Sequence, residues 1–184
     1  MRDVSLHILD LVQNSITAKA KNIWICLELD EIGILTLIVK DDGKGMNSDI
    51  LASVKEPFTT TRTTRKVGLG IPLVVQNAHQ TGGSVDILSE PGKGTVLTAT
   101  FDTRSIDCIP LGEVSETIIS VIMANPLTPE LTVVCTSKEG EFTFSTAETR
   151  EALSGVSLAE PEVILWLREY IGQEIRPVLG RIVL

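Results

Sequence analysis

Residues 4–21 read VSLHILDLVQNSITAKAK, and two stripes run along them. Leu9, Val12, Ile16 and Ala20 recur at three- and four-residue spacing, the period of a helix with one apolar face. His7, Asp10, Asn14, Thr17 and Lys21 recur at the same spacing, which stacks a carboxylate and a carboxamide one turn apart. Asp3 or Ser5 can cap the start. The spacing predicts a helix from Val4 to about Lys21 that carries a second, polar face. A polar helix face is often simply solvated, and on that reading His7 is a surface residue.

Outward from this helix, Ile23–Leu29 and Ile34–Lys40 alternate as strands around the turn Asp30-Glu31-Ile32-Gly33. A short helix is expected over Ser48–Lys55. Another is expected over Pro72–Gln80, opened by proline in its first turn and closed by Gly82-Gly83. Ser84–Ser89 and Thr95–Phe101 form a second hairpin around Pro91-Gly92-Lys93-Gly94. The order helix, two strands, two helices, two strands makes an α/β sandwich with paired antiparallel hairpins, not a doubly wound sheet. Near Asp102–Pro110 a connector begins. Beyond it, Gly112–Met123 is expected to be helical, Leu131–Thr136 and Glu141–Phe144 to form a hairpin, and Ser145-Thr-Ala-Glu148 to box a short helix. Glu160–Gly172 reads as a last amphipathic helix. Two regions result, 1–103 and 104–184.

The chain has 184 residues, 43% of them hydrophobic and 22% charged, enough for a packed core. A net charge of −8 argues against a non-specific nucleic-acid or anionic-membrane binder. Residues 1–103 hold 12 acidic and 10 basic side chains, and residues 104–184 hold 12 and 6. Asp3, His7 and Asp10 stand where a signal peptide needs an apolar stretch, and no apolar run suits a bilayer span, so a cytoplasmic protein is expected. Cys26, Cys108 and Cys135 lack C-x-x-C spacing, and reduced thiols are the simpler reading.

Two further stretches join the polar helix face. Val39-Lys-Asp41-Asp42-Gly43-Lys-Gly45-Met46 puts a carboxylate at a strand end before a tight turn, where it can accept from an amine of a flat base. Lys66-Val-Gly68-Leu69-Gly70-Ile-Pro72 offers backbone N–H groups ahead of a helix, a seat for phosphate. Neither cluster completes a Rossmann fingerprint, and Gly92-Lys93 lacks the leading glycine of a P-loop. On the helix, the Asn14 carbonyl suits a hard cation such as Mg²⁺, and Asp10 suits a general base.

Together these stretches resemble the GHKL superfamily of ATP-binding domains, which includes gyrase-type topoisomerases, heat-shock chaperones, sensor histidine kinases and anti-sigma-factor kinases. Asp10-Leu-Val-Gln-Asn14-Ser-Ile-Thr-Ala18 resembles its asparagine box, and Asp41-Asp42-Gly43-Lys44-Gly45 and Gly68-Leu69-Gly70 resemble its two glycine boxes. Glu56-Pro-Phe58-Thr-Thr-Thr61-Arg62 is similar to the kinase phenylalanine box, and Gly92-Lys-Gly-Thr95 to the closing segment near adenine. The resemblance spans about residues 3–102. It implies an α+β fold, a two-layer sandwich of the Bergerat type with a mixed sheet covered by helices, here followed by a C-terminal α/β extension. It further implies that ATP and Mg²⁺ are the cofactors and that Asn14 binds the metal. Asp41 would accept from the adenine amine, Gly43, Gly45 and Met46 would border the base, and Thr95 would help fix it through water. Gly68, Leu69 and Gly70 would hold the phosphates, with Thr61, Arg62 and Lys66 in a lid and Asp10 as the catalytic base. Two departures stand out: Asp10 replaces the glutamate of the hydrolysing branches, and Thr17 stands where other branches carry a charged residue.

Three functions follow from the resemblance: transfer of phosphate from ATP to a separate partner protein, an ATP-hydrolysing conformational switch, or a non-catalytic ATP-sensing module. The short lid and the phenylalanine box favour phosphotransfer. The chain starts almost at the asparagine box, so the phosphoacceptor is expected on a separate, unidentified protein, with a homodimer left open and no nucleic-acid or membrane partner. Kinase-type domains of this superfamily usually carry a strand before that box. The hairpin Leu131–Phe144 is expected to fill the vacant sheet edge, with Glu160–Gly172 on a sheet face and Trp166 and Tyr170 near a partner-binding or self-association surface. An independent small domain on a flexible linker is the rival.

Overall fold

A computed structural model describes residues 2–55 and 70–180. In chain order its elements are α1 (Val4–Thr17), β1 (Asn22–Leu29), β2 (Ile34–Asp41), α2 (Ser48–Lys55), α3 (Gly70–Gln80), β3 (Val85–Glu90) and β4 (Gly94–Asp102). Then come α4 (Val114–Ala124), β5 (Glu130–Ser137), β6 (Gly140–Ser145), α5 (Thr146–Ala152) and α6 (Pro161–Leu179). The six strands form one mixed sheet in the order β3-β4-β2-β1-β5-β6, antiparallel except for the parallel pair β1–β5. The α+β sandwich expected from the sequence is what the chain forms.

Period-two alternation sets which way each strand faces. One row across the sheet, Ile87, Leu97, Val39, Ile25, Val133 and Phe144, is joined by register partners, and all six side chains are buried. A slip of one residue in any strand would turn its apolar set outward, so burial itself holds the register. The opposite face is only partly covered: Trp24 is half-exposed there, with the Lys40 ammonium 4.9 Å from its ring centre.

Helices cover the apolar face. α1 lies between α3 and α4, and α6 packs outside α4 against β5 and β6. The hairpin expected over Leu131–Phe144 does extend the sheet: β5 runs alongside β1 from Asn22↔Glu130 to Leu29↔Ser137 and pairs an edge that would otherwise stay open. The connector that precedes α4 braces the start of α1, where Val4 N–H donates to Pro110 O at 2.9 Å and Ser5 N–H to Leu111 O at 2.8 Å.

Two helix ends lie more than two residues from the sequence reading. α1 stops at Thr17, not near Lys21, because Lys19 takes a left-handed φ of +60° and the Asp42 carboxylate draws in the N–H groups of Lys21 (2.7 Å) and Asn22 (2.9 Å). Asp3, not Ser5, caps its start by accepting from Leu6 N–H. α6 runs on past Gly172 to Leu179, because Ile175, Val178 and Leu179 prolong its buried stripe. Gly172 faces the Ser115 side chain of α4, which a Cβ there would meet at an ordinary contact distance of 3.6 Å.

Candidate nucleotide site

A cavity of about 220 Å³ opens between the second half of α1, the loop after β2, α2 and the start of β4. Its apolar wall comes from Leu11, Val39, Met46, Val54, Ile71 and Leu97, and its polar groups from Asn14, Ser15, Thr17, Asp41, Lys44 and Thr95. A flat, largely apolar ligand with a few polar groups at its edge suits this lining.

Asp41 closes β2 and is only 7% exposed. Its Oδ1 accepts from Gly43 N–H at 2.8 Å and its Oδ2 from Ser15 Oγ at 2.9 Å. A carboxylate has about four lone-pair sites, so acceptor capacity remains on the cavity side. Asp41 is also the register partner of Thr95 on β4, which sets two sequence-predicted base contacts side by side although 53 residues separate 41 from 95.

The turns around the site are packed backbone to backbone. Gly45 has φ +63°, and a Cβ there would come 1.9 Å from Glu90 O. Gly94 has φ +95°, and a Cβ there would come 1.9 Å from Asp41 O. No other residue fits either position, and the first glycine box is thereby locked onto the β3–β4 turn. Ser89 joins them: its Oγ accepts from Met46 N–H at 2.9 Å and donates to Gly94 O at 2.9 Å. That spends its one proton, so in the 2.9 Å contact with Thr95 it is Thr95 Oγ1 that donates. The Thr95 hydroxyl keeps its lone pairs for a water or ligand.

Asn14 is exposed at the cavity mouth, and Asp10 lies one turn earlier, half-buried. Gly70, the first residue of α3, stands against Asp10, since a Cβ on it would come 3.0 Å from Asp10 Oδ2. The beginning of α3 and the polar face of α1 therefore meet. Thr61, Arg62, Lys66, Gly68 and Leu69 lie outside the described residues.

Residues 2–105 match the family model of the histidine kinase-, DNA gyrase B- and HSP90-like ATPases. This chain belongs to that family. Among curated members with related sequences, the sensor kinase CckA of Brucella abortus is 28% identical over 170 residues, 85% of this chain and 17% of its own length. The C4-dicarboxylate transport sensor protein DctB of Pseudomonas aeruginosa is 30% identical over 100 residues, 53% of this chain and 16% of that one. The chain thus spans about a sixth of the length of these relatives. A crystal structure of the N-terminal domain of a DNA repair protein shares the fold at 13% identity, with a TM-score of 0.50 over 79% of this chain and 52% of that one.

Within this member of the ATPase family, His7 corrects the sequence reading. It is fully buried, not a helix-surface residue, and Asn77 of α3 lies 2.8 Å from its Nε2. With the Asn77 amide donating, the ring is neutral with its proton on Nδ1, which has no partner among the described residues. Burial pushes its pKa down to about 4. The periodicity missed it because α1 is covered by the sheet, by α3 and by α4, so the buried arc is wider than one apolar stripe. Ser15 and Ser89 were also missed. Ser15 adjoins Asn14 and follows Leu11 by one turn, a signal that it faces inward; nothing in the local sequence marks Ser89.

Proposed function

We propose that this histidine-kinase-like ATPase domain binds ATP with magnesium in the cavity beside Asp41 and transfers the γ-phosphoryl group to a separate partner protein. The observation that carries the nucleotide reading is the buried Asp41 carboxylate, held by Ser15 and Gly43 on the wall of an apolar cavity. The amine of adenine would donate to it, Thr95 would accept through water, and Met46 and Leu97 would flank the ring.

The donor set also fits Mg²⁺, which is satisfied by one or two protein oxygens when substrate phosphates supply others. Asn14 would hold the ion through its side-chain carbonyl, and the ion would neutralise charge on the phosphates. The start of α3 at Gly70, against Asp10, would seat the phosphates at a helix N-terminus. In transfer, the bond from the γ-phosphorus to ADP breaks, ADP keeps the electron pair, and the acceptor nucleophile bonds to phosphorus, with Asp10 as the group to take its proton.

Similarity to sensor kinases favours phosphotransfer over plain hydrolysis. His7 itself is not the acceptor, since its imidazole is buried against Asn77 and out of reach. The test is incubation of the chain with γ-labelled ATP and magnesium, alone and with fractionated cell extract, counting free phosphate and protein-bound label separately. Label on another protein supports the proposal. Free phosphate alone would make the chain a hydrolase, and tight ATP binding with neither product would make it a sensor.

A further inference from the structure

α6 is the outermost helix of the layer, with α4 on one side and β5 and β6 beneath it. Its outward stripe runs Glu162, Leu165, Trp166, Glu169, Tyr170 and Gln173, spaced so that neighbours touch along one face, and all six are exposed. Leu165 is 58% exposed and Trp166 is 52% exposed. The Trp166 and Tyr170 rings stack with centres 5.3 Å apart and planes 5° from parallel, and Tyr170 meets Phe142 of β6 edge-on at 5.8 Å. Two χ angles per ring and this stacking make a rigid platform that loses little entropy on binding, the kind of surface that anchors interfaces.

The charges around the platform select its partner. Glu162 precedes Trp166 by one turn and Glu169 follows it by three residues, and neither has a cation partner among the described residues. Arg168, the nearest cation on the helix, is held by Glu116 of α4 at 2.7 Å. The stripe therefore offers aromatic faces between carboxylates. A guanidinium can stack on the indole while carboxylates accept its N–H groups. A second copy would bring the same carboxylates against each other, a like-charge contact that opposes pairing.

We infer that the outer face of α6 docks a basic, arginine-bearing segment of another protein, with Trp166 and Tyr170 as the platform and Glu162 and Glu169 as the flanking acceptors. The inference stands apart from the nucleotide reading and is tested without ATP.

The experiment uses the full chain, isotope-labelled, at physiological salt. It is titrated with a short synthetic peptide alternating arginine and serine, and with its glutamate counterpart. The arginine peptide should bind saturably, with amide and indole shifts centred on Trp166, Tyr170, Glu162 and Glu169, and the glutamate peptide should not. W166A should weaken binding about tenfold or more, as loss of a central aromatic anchor does, and E162Q/E169Q should weaken it severalfold with the fold intact by circular dichroism. A control on distant exposed carboxylates, E31Q/D49N, should leave it unchanged. Shifts spread evenly over the acidic surface, or W166A binding as well as wild type, would overturn the inference. So would self-association abolished by W166A in a chain that ignores the peptide.

Discussion

Ser15 Oγ donates a 2.9 Å hydrogen bond to Oδ2 of Asp41, tying the asparagine-bearing helix α1 to the last residue of β2. With Gly43 N–H on the other oxygen, the pair fixes the orientation of a carboxylate that is almost wholly buried. In the proposed function, nucleotide recognition and the seating of α1 on the sheet therefore share one contact.

Asp41→Asn should weaken ATP and ADP alike. An amide turned with its NH₂ toward Gly43 or the adenine amine meets a donor, and turned toward Ser15 it makes that hydroxyl give up Asp41 for Leu11 O, 3.2 Å away. In each arrangement a charge-assisted bond worth about 1.5–3 kcal/mol is lost. Ser15→Ala should weaken both nucleotides less, by about 0.5–1.5 kcal/mol, because only the orientation of Asp41 is relaxed. Calorimetry with ATP and with ADP checks both, and unchanged affinity in Asp41→Asn would remove this carboxylate from adenine recognition.

Asn14 and Asp10 should separate metal from chemistry. Asn14→Ala should blunt the magnesium dependence of ATP binding, since the ion loses its protein oxygen. Asp10→Ala should keep ATP bound and cut any turnover by roughly 10²–10⁴-fold, the usual contribution of a general base. Binding isotherms at graded magnesium, set beside single-turnover rates, distinguish the two losses.

His7 should make the protein acid-sensitive. Its pKa is 6.5 in an unfolded chain and about 4 when buried between α1 and α3. Below 6.5 the unfolded chain binds the proton first, so stability is full above that pH and falls as pH drops toward 4. At 1.36 kcal/mol per unit the loss reaches roughly 3 kcal/mol at its limit. Denaturant unfolding between pH 7 and pH 4 reads the slope, and His7→Gln should flatten it. Asp42 adds to the acid loss at lower pH: burial would raise its pKa, but the hydrogen bonds from Asn22 and from Lys21 N–H outweigh this and hold it below the usual carboxylate range.

Truncation after Asp102 should expose the β1 edge that β5 pairs and strip Pro110, Leu111 and α4 from α1. Aggregation or a broadened, less cooperative melt is the expected outcome. A soluble fragment that melts cooperatively and binds ATP normally would show that the carboxy-terminal segment is not needed to complete the sheet.

The strands and most helices were legible because each is written in nearest-neighbour terms: alternation for β1, β2 and β4, and the capping box at Ser145 and Glu148, where Ser145 Oγ accepts from Glu148 N–H. Asp41 was legible for the same reason, since a carboxylate followed by Gly43 and Gly45 declares a strand end and a tight turn. Ser15 and Ser89 were not, because their partners lie 26 and 43 residues away, at Asp41 and Met46. No local pattern names a partner at that distance.

The amino-acid sequence by itself determined the family, the order of elements and the residues that turn sharply, because backbone preference and apolar period are local properties. Only the tertiary structure decided that His7 is buried against Asn77, that Asp41 and Thr95 are register partners, and that β5 lies parallel beside β1. The physical reason is the same in all three. Burial is set by how many neighbours surround a position, and pairing by which rows of side chains can bury one another. Both are properties of the assembled sheet and helix layer, to which segments far apart in the chain contribute together.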